Sequence, residues 1–255
     1  MSPSKRYVAL GSSMAAGPGI RPRAAGSAWR AGRSARNYAH LVAEHSGLDL
    51  TDVTYSGATT VHVLTERQHG VPPQIAALDG SETLVTVTVG GNDVGYVPSL
   101  MAASLPRMTR HLPMLGDRIR ELLDRDVRDR ALAQVFDSLC AVGRTLRRRA
   151  PDARILFVDY LTVLPPAGES APPLSEADAD LGRHVASALE RLTAEAAAST
   201  DCEIVRAGAA SRDHHAWSAE PWTTRSGVPV PYRPAPLHPN TDGMRAVAEL
   251  IWTRL

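Results

Sequence analysis

Four short stretches carry the groups that acyl transfer from an ester requires. Gly11-Ser12-Ser13 offers a hydroxyl just behind the apolar run Tyr7 to Leu10. Ser56-Gly57 comes after Leu50 to Tyr55, Gly90-Gly91-Asn92-Asp93 after Thr83 to Val89, and His238-Pro239-Asn240 ahead of the final amphipathic stretch. A serine hydroxyl does not attack a carbonyl at neutral pH unaided: an imidazole must take its proton, and donors must wait where the tetrahedral oxyanion forms. Ser13 is therefore the candidate nucleophile and His238 the candidate general base. The backbone N–H groups of Ser13 and Gly57, with the side-chain amide of Asn92, are the candidate oxyanion hole. Glycines beside Ser13 permit a sharp turn and a close approach of substrate. This chemistry needs no cofactor and no metal.

Residues so far apart meet only if the fold gathers them. Short β-branched or apolar runs recur at Tyr7 to Leu10, Leu50 to Tyr55, Thr83 to Val89, Arg154 to Leu161 and Cys202 to Val205, with helix-like stretches between them. Ser34 is placed to cap a helix carrying Tyr38, Leu41 and Val42 that Gly47 closes, and Ser175 with Asp178 resembles a capping box for a helix running to about Ser199. Residues 97 to 150 read as broken helices followed by one long helix, whose terminal carbonyls the run Arg147-Arg148-Arg149 would meet. Residues 207 to 237 show no clear periodicity. Alternating strands and helices imply crossover connections, hence an α/β, doubly wound, flavodoxin-like parallel sheet of about five strands in the order 2-1-3-4-5, with helices on both faces. Such sheets bind ligands beyond the carboxyl ends of the strands, which puts the four stretches on one rim. A single domain over residues 1–255 is expected.

Composition narrows the partners. Lys and Arg total 28 against 27 Asp and Glu, a formal net charge of +1, so no global field draws the chain to nucleic acid or an anionic membrane. No apolar run is long enough for a membrane span. Cys140 and Cys202 are too far apart for a CxxC pair and are expected to be buried thiols. The chain enters a strand within about six residues, which leaves no room for a secretory signal and makes a cytoplasmic protein the expectation.

In these residues the sequence resembles the SGNH hydrolases, the GDSL-type esterases or lipases, over nearly its whole length. Their Gly-Asp-Ser turn falls on Gly11-Ser12-Ser13, their second-block glycine on Gly57 in "YSGATT", their Gly-x-Asn-Asp on Gly90-Gly91-Asn92-Asp93 and their His-Pro on His238-Pro239. "GRSARNYAHLVAE" and "HPNTDGMRAVAELI" look like actinobacterial members. The resemblance implies a small-molecule or lipid ester substrate and an acyl-enzyme on Ser13. Two departures stand out: Ser12 replaces the Asp of the turn, and Ala235 stands three residues before His238, where the family usually carries an Asp that orients the ring. A backbone carbonyl, most simply that of Ala235, is expected to accept the Nδ1 hydrogen instead, with Asp213 or Glu220 as the alternatives.

Other readings of these residues are weaker. Neither G-x-G-x-x-G nor a P-loop is present, which argues against nucleotide binding. Asp213-His214-His215 lacks the spacing of a metal site and reads as pocket wall or solvated loop. Trp217 and Trp222 either line the pocket or pin their loop onto the core. Acyl transfer to an alcohol through the same acyl-enzyme, and a non-catalytic binding protein on this fold, are the alternatives to ester hydrolysis. Substrate choice is expected to lie in segments 14 to 33, 96 to 115 and 207 to 237.

Overall fold

The structure, a computed structural model, describes residues 5–255. Five parallel strands, β1 (Arg6–Gly11), β2 (Asp49–Asp52), β3 (Glu82–Thr88), β4 (Arg154–Val158) and β5 (Glu203–Val205), form one sheet in the order β2-β1-β3-β4-β5. This is the expected doubly wound order. Between the strands run α1 (Ser13–Ala16), α2 (Tyr38–Ser46), α3 (Thr60–Leu64), α4 (Tyr96–Ala103), α5 (Leu115–Leu123), α6 (Arg125–Arg149), α7 (Glu176–Ser199), α8 (Ala207–Ala210) and α9 (Thr241–Trp252).

The side-chain alternation of the strands sorts the core into two layers. Val8, Leu10, Val85, Val87, Ile155 and Phe157 pack with Leu139 and Val142 of α6 and Val185 and Leu189 of α7. Tyr7, Ala9, Leu84, Leu156 and Val158 pack on the opposite face with Val42 of α2 and Val247 and Ile251 of α9. Each fully buried aliphatic side chain contributes about 1.5–3 kcal/mol. Burial on both faces is why these strands read as near-continuous apolar runs.

Local signals mostly act where the sequence places them, with instructive exceptions. The Ser175 hydroxyl accepts from the Asp178 N–H at 3.2 Å and opens α7. The cap of α2 is Asn37, not Ser34: the Asn37 side chain accepts from the His40 N–H at 3.1 Å and donates to Asp52 at 2.8 Å, tying the helix to the end of β2. Ser34 Oγ accepts instead from the Arg36 N–H at 2.9 Å. Arg147 reaches past its own helix to the carbonyls of Pro151 and Ala153, so the basic run serves the following turn. Cys140 is buried, whereas Cys202 is only partly so. Residues 207–237 are not wholly irregular, since they contain α8 and a 3-10 turn at Arg212–His214.

One polar group sits uneasily in the core. Asp159, directly after β4, is 2% exposed; one carboxyl oxygen accepts from the Gly208 N–H at 2.7 Å, and the other is buried without a partner among the described residues. Burial pushes its pKa up to about 7. Because the folded state holds the proton more tightly than the unfolded chain, this stabilisation is complete at acid pH and is lost as pH rises towards 7. Asp159→Asn keeps the shape and removes the titration. Thermal melts of both proteins should show the variant gaining several degrees on the wild type between pH 5 and pH 8; a Tm difference independent of pH would refute this.

Candidate active site

The nucleophile position is built by the end of β1. Gly11 has φ +138°, and a Cβ there would collide with the Thr88 carbonyl, so the turn out of the strand demands glycine. The Ser12 N–H donates to that carbonyl at 2.8 Å, which fixes Ser12-Ser13 against the end of β3. The buried amide of Gln74 clamps Gly11 from the side, accepting from its N–H at 2.7 Å and donating to its carbonyl at 3.0 Å. Ser13 then opens the single turn of α1, and its N–H has no protein acceptor among the described residues.

Ser13 Oγ lies 2.8 Å from His238 Nε2, across 225 positions of sequence, and both residues are 8% exposed. His238 Nδ1 lies 2.7 Å from the carbonyl oxygen of Pro236. A carbonyl only accepts, so Nδ1 carries the hydrogen and Nε2 presents its lone pair to the Ser13 hydroxyl. The acceptor is thus a backbone carbonyl, but that of Pro236 and not Ala235. The Ala235 carbonyl is engaged by the Thr224 hydroxyl at 2.6 Å and the His238 N–H at 3.3 Å. Leu237, with φ +61°, curls the chain so that the Pro236 carbonyl turns back onto the imidazole two residues later. Thr224 holds this strained segment from both sides: its N–H donates to the His238 carbonyl at 2.9 Å, and its own carbonyl accepts from the Leu237 N–H at 3.2 Å. Neither Asp213 nor Glu220 bonds to His238; both side chains are exposed, and the Glu220 carbonyl accepts from His214 at 2.8 Å. Burial lowers the pKa of His238, and the Pro236 carbonyl offsets this in part.

The remaining donors are stitched to one another. Ala58 N–H bonds the Tyr55 carbonyl at 3.0 Å, closing a turn with Gly57 at the third position and φ +79°, the conformation that a type II turn reserves for glycine. The exposed Gly57 N–H has no protein acceptor among the described residues. Asn92 donates one amide hydrogen to the Ala58 carbonyl at 2.9 Å, which leaves the second for a ligand. Asp93 accepts from the Thr60 N–H at 3.0 Å and from its hydroxyl at 2.5 Å, locking the connection after β3 to that after β2. Burial raises its pKa, against the lowering effect of these bonds.

Ser12, where the family's turn has Asp, meets Tyr160. The Tyr160 oxygen accepts from the Gly91 N–H at 2.9 Å and shares a hydrogen bond with Ser12 Oγ at 3.2 Å. Burial pushes the phenol up to about 12, and it stays neutral. Gln74, Thr224, Leu237, Pro236 and Tyr160 are not distinguished by sequence, although Thr224, Pro236 and Leu237 lie in the wall segment 207 to 237 and Tyr160 in the run that forms the fourth strand.

The polar atoms of the Asp213-His214-His215 stretch have other tasks. The His214 ring stacks on Trp222 at 4.0 Å, and His215 Nδ1 accepts from the Trp217 N–H at 3.2 Å. Among the described residues no group of three His, Cys, Asp or Glu is arranged to hold a metal ion. Trp217 and Trp222 pack against the two core layers and pin their loop. Two spaces adjoin the rim. A cavity of about 400 Å³ lies between residues 160–169, α7 and residues 212–215, while a groove of about 770 Å³ lies between residues 19–33 and 229–235. The groove uses two of the expected wall segments; of 96 to 115, only Tyr96 reaches the cavity.

Residues 9–246 match the GDSL-like lipase/acylhydrolase family. The chain is 29% identical over 263 residues to Lipase 2 of Streptomyces coelicolor, covering 97% of this chain and 85% of that protein. Phospholipase A1 from Streptomyces albidoflavus NA297 shares the fold with a TM-score of 0.81 at 21% identity, over 99% of this chain and 100% of that one. The extracellular lipase of Streptomyces rimosus does so with a TM-score of 0.80 at 24% identity, with coverages of 99% and 100%. With its four blocks in order on the expected sheet, this chain belongs to the GDSL-like lipase/acylhydrolase family of ester-hydrolysing enzymes.

Proposed function

We propose that this protein is a serine esterase that cleaves carboxylic esters of lipids through an acyl-enzyme on Ser13. The observation that carries the reading is the Ser13 Oγ to His238 Nε2 contact of 2.8 Å, with the opposite ring nitrogen held by Pro236. His238 takes the hydroxyl proton as Oγ bonds to the ester carbonyl carbon. The negative charge that collects on the carbonyl oxygen is met by the N–H groups of Ser13 and Gly57 and the free amide hydrogen of Asn92. Collapse breaks the bond to the alcohol, which leaves with the proton from His238; a water that His238 deprotonates then releases the acid. The lipase and phospholipase names of the relatives favour lipid esters over acetylated sugars as the substrate class.

A fluorophosphonate probe should label the wild type covalently and leave Ser13→Ala unlabelled. Asn92→Ala should lower kcat on p-nitrophenyl esters by ~10²–10³, the usual cost of one oxyanion donor. Labelling that survives in Ser13→Ala would overturn the reading.

Since burial keeps His238 neutral to lower pH than a free imidazole, kcat/KM should hold down to below pH 6.5 and then fall with a single-proton slope. An acid limb centred above pH 6.5 would contradict the assignment of His238 as base.

A further inference from the structure

Beside the catalytic rim lies a groove that the chemistry above does not use. Its walls continue the segments that build the site. The Ala235 N–H donates to the Pro18 carbonyl at 2.9 Å, joining the segment before His238 to the one after α1. On the other side the Ala31 carbonyl accepts from both the N–H and the hydroxyl of Ser56, at 3.0 and 2.8 Å, next to Gly57. The groove thus shares its walls with the segments that run into Ser13, Gly57 and His238.

The groove is strongly and one-sidedly basic. No Asp or Glu precedes Glu44 in the chain, and none occurs between residues 221 and 241, although the chain as a whole carries a net charge of only +1. Arg33 is committed to the Thr54 carbonyl at 2.9 Å and to Asp52 at 3.4 Å. Arg21, Arg23 and Arg233 line the groove, are exposed and pair with no carboxylate among the described residues. Arg21 lies over the ring of Tyr232 at 4.1 Å, a contact that leaves the edge of the guanidinium open to a ligand.

The rim of the groove is apolar where water should have favoured polar residues. Trp29 is 80% exposed, Val230 50% and Tyr232 74%. Tryptophan and tyrosine with aliphatic neighbours suit the boundary between lipid head groups and chains. Met108 and Met114, 82% and 86% exposed, stand in the connection that leaves Asn92, so apolar side chains project from three of the connections that form the site. Guanidinium groups match the paired oxygens of a phosphate, and a glycerol unit joins such a phosphate to a carboxylic ester within a few bonds.

We infer that this groove is a binding subsite for the phosphate diester of a glycerophospholipid presented in a lipid surface, recognised by Arg21, Arg23 and Arg233 with Trp29, Val230 and Tyr232 resting on the lipid. The inference builds on ester cleavage at Ser13. The test compares the wild type with a triple variant, Arg21→Gln, Arg23→Gln and Arg233→Gln, on phosphatidylglycerol and on diacylglycerol in the same mixed micelles. The ratio of kcat/KM for the phospholipid to that for the neutral lipid should fall at least tenfold; a ratio within twofold of wild type overturns the proposal. Sedimentation with vesicles of phosphatidylcholine and phosphatidylglycerol, using Ser13→Ala chains with and without the arginine changes, reads the groove without any chemistry. Bound protein should drop at least fivefold with the arginines removed, and equal sedimentation of the two overturns the proposal even if Ser13 is the nucleophile. Glycerol phosphate distinguishes a soluble anion from a lipid head group: displacement of the protein from vesicles at a phosphate concentration equal to theirs would refute the lipid assignment, whereas continued binding supports it.

Discussion

The peptide unit of Gly11 is the point at which the rest of the site is tied together. Its N–H and carbonyl are both held by Gln74, the same carbonyl accepts from the Tyr55 N–H at 2.9 Å, and the next N–H, that of Ser12, bonds Thr88 at 2.8 Å. The ends of β1, β2 and β3 are therefore fixed relative to one another by backbone and one buried side chain. A buried, paired amide such as that of Gln74 is costly to leave unsatisfied, so the cluster forms as a unit. The candidate oxyanion donors of Ser13 and Gly57 sit on backbone that leaves this knot, with Asp93 and Asn92 adding the second seam to the connection after β2.

The imidazole arrives from the opposite end of the chain and is secured differently. Its segment is packed onto the sheet through Leu237, which is fully buried, and through α9, whose apolar face carries Val247 and Ile251 into the core. Asn240 caps α9, with its side chain accepting from the Gly243 N–H at 2.9 Å, so the helix start is set two residues after His238. Between these anchors, Thr224 supplies the hydrogen bonds that an isolated loop would have to find in water. The placement of His238 thus derives from a helix and a cross-loop threonine, with no carboxylate beside the ring among the described residues.

The strands and the turns at their ends were legible in the sequence because both depend on local signals, and their alternation with helices led to the sheet order. Apolar runs such as Thr83 to Val89 mark strands buried on two faces, and Gly-Ser or Gly-Asn turns at their ends mark the rim. The features that escaped depend on tertiary contact. Nothing local distinguishes Gln74 from any polar residue in a loop, and Tyr160 becomes a partner of Ser12 only because β4 lies beside β3. The Pro236 carbonyl escaped for a different reason: reaching the ring requires left-handed backbone at a leucine, which sequence patterns argue against. Asn37 displaced Ser34 as a cap because its amide could also satisfy Asp52, a contact visible only once β2 and α2 are adjacent.

The acceptor on His238 has a consequence of its own. A carboxylate in that place would bring a second ionisable group, with rotamers to freeze and a proton equilibrium entangled with that of the ring. A peptide oxygen two residues away has neither; it neither gains nor loses charge across the pH range in which proteins work. In the proposed mechanism the imidazolium of His238 would be met by a dipole alone, and the orienting element would be main chain, with no side chain of its own to titrate.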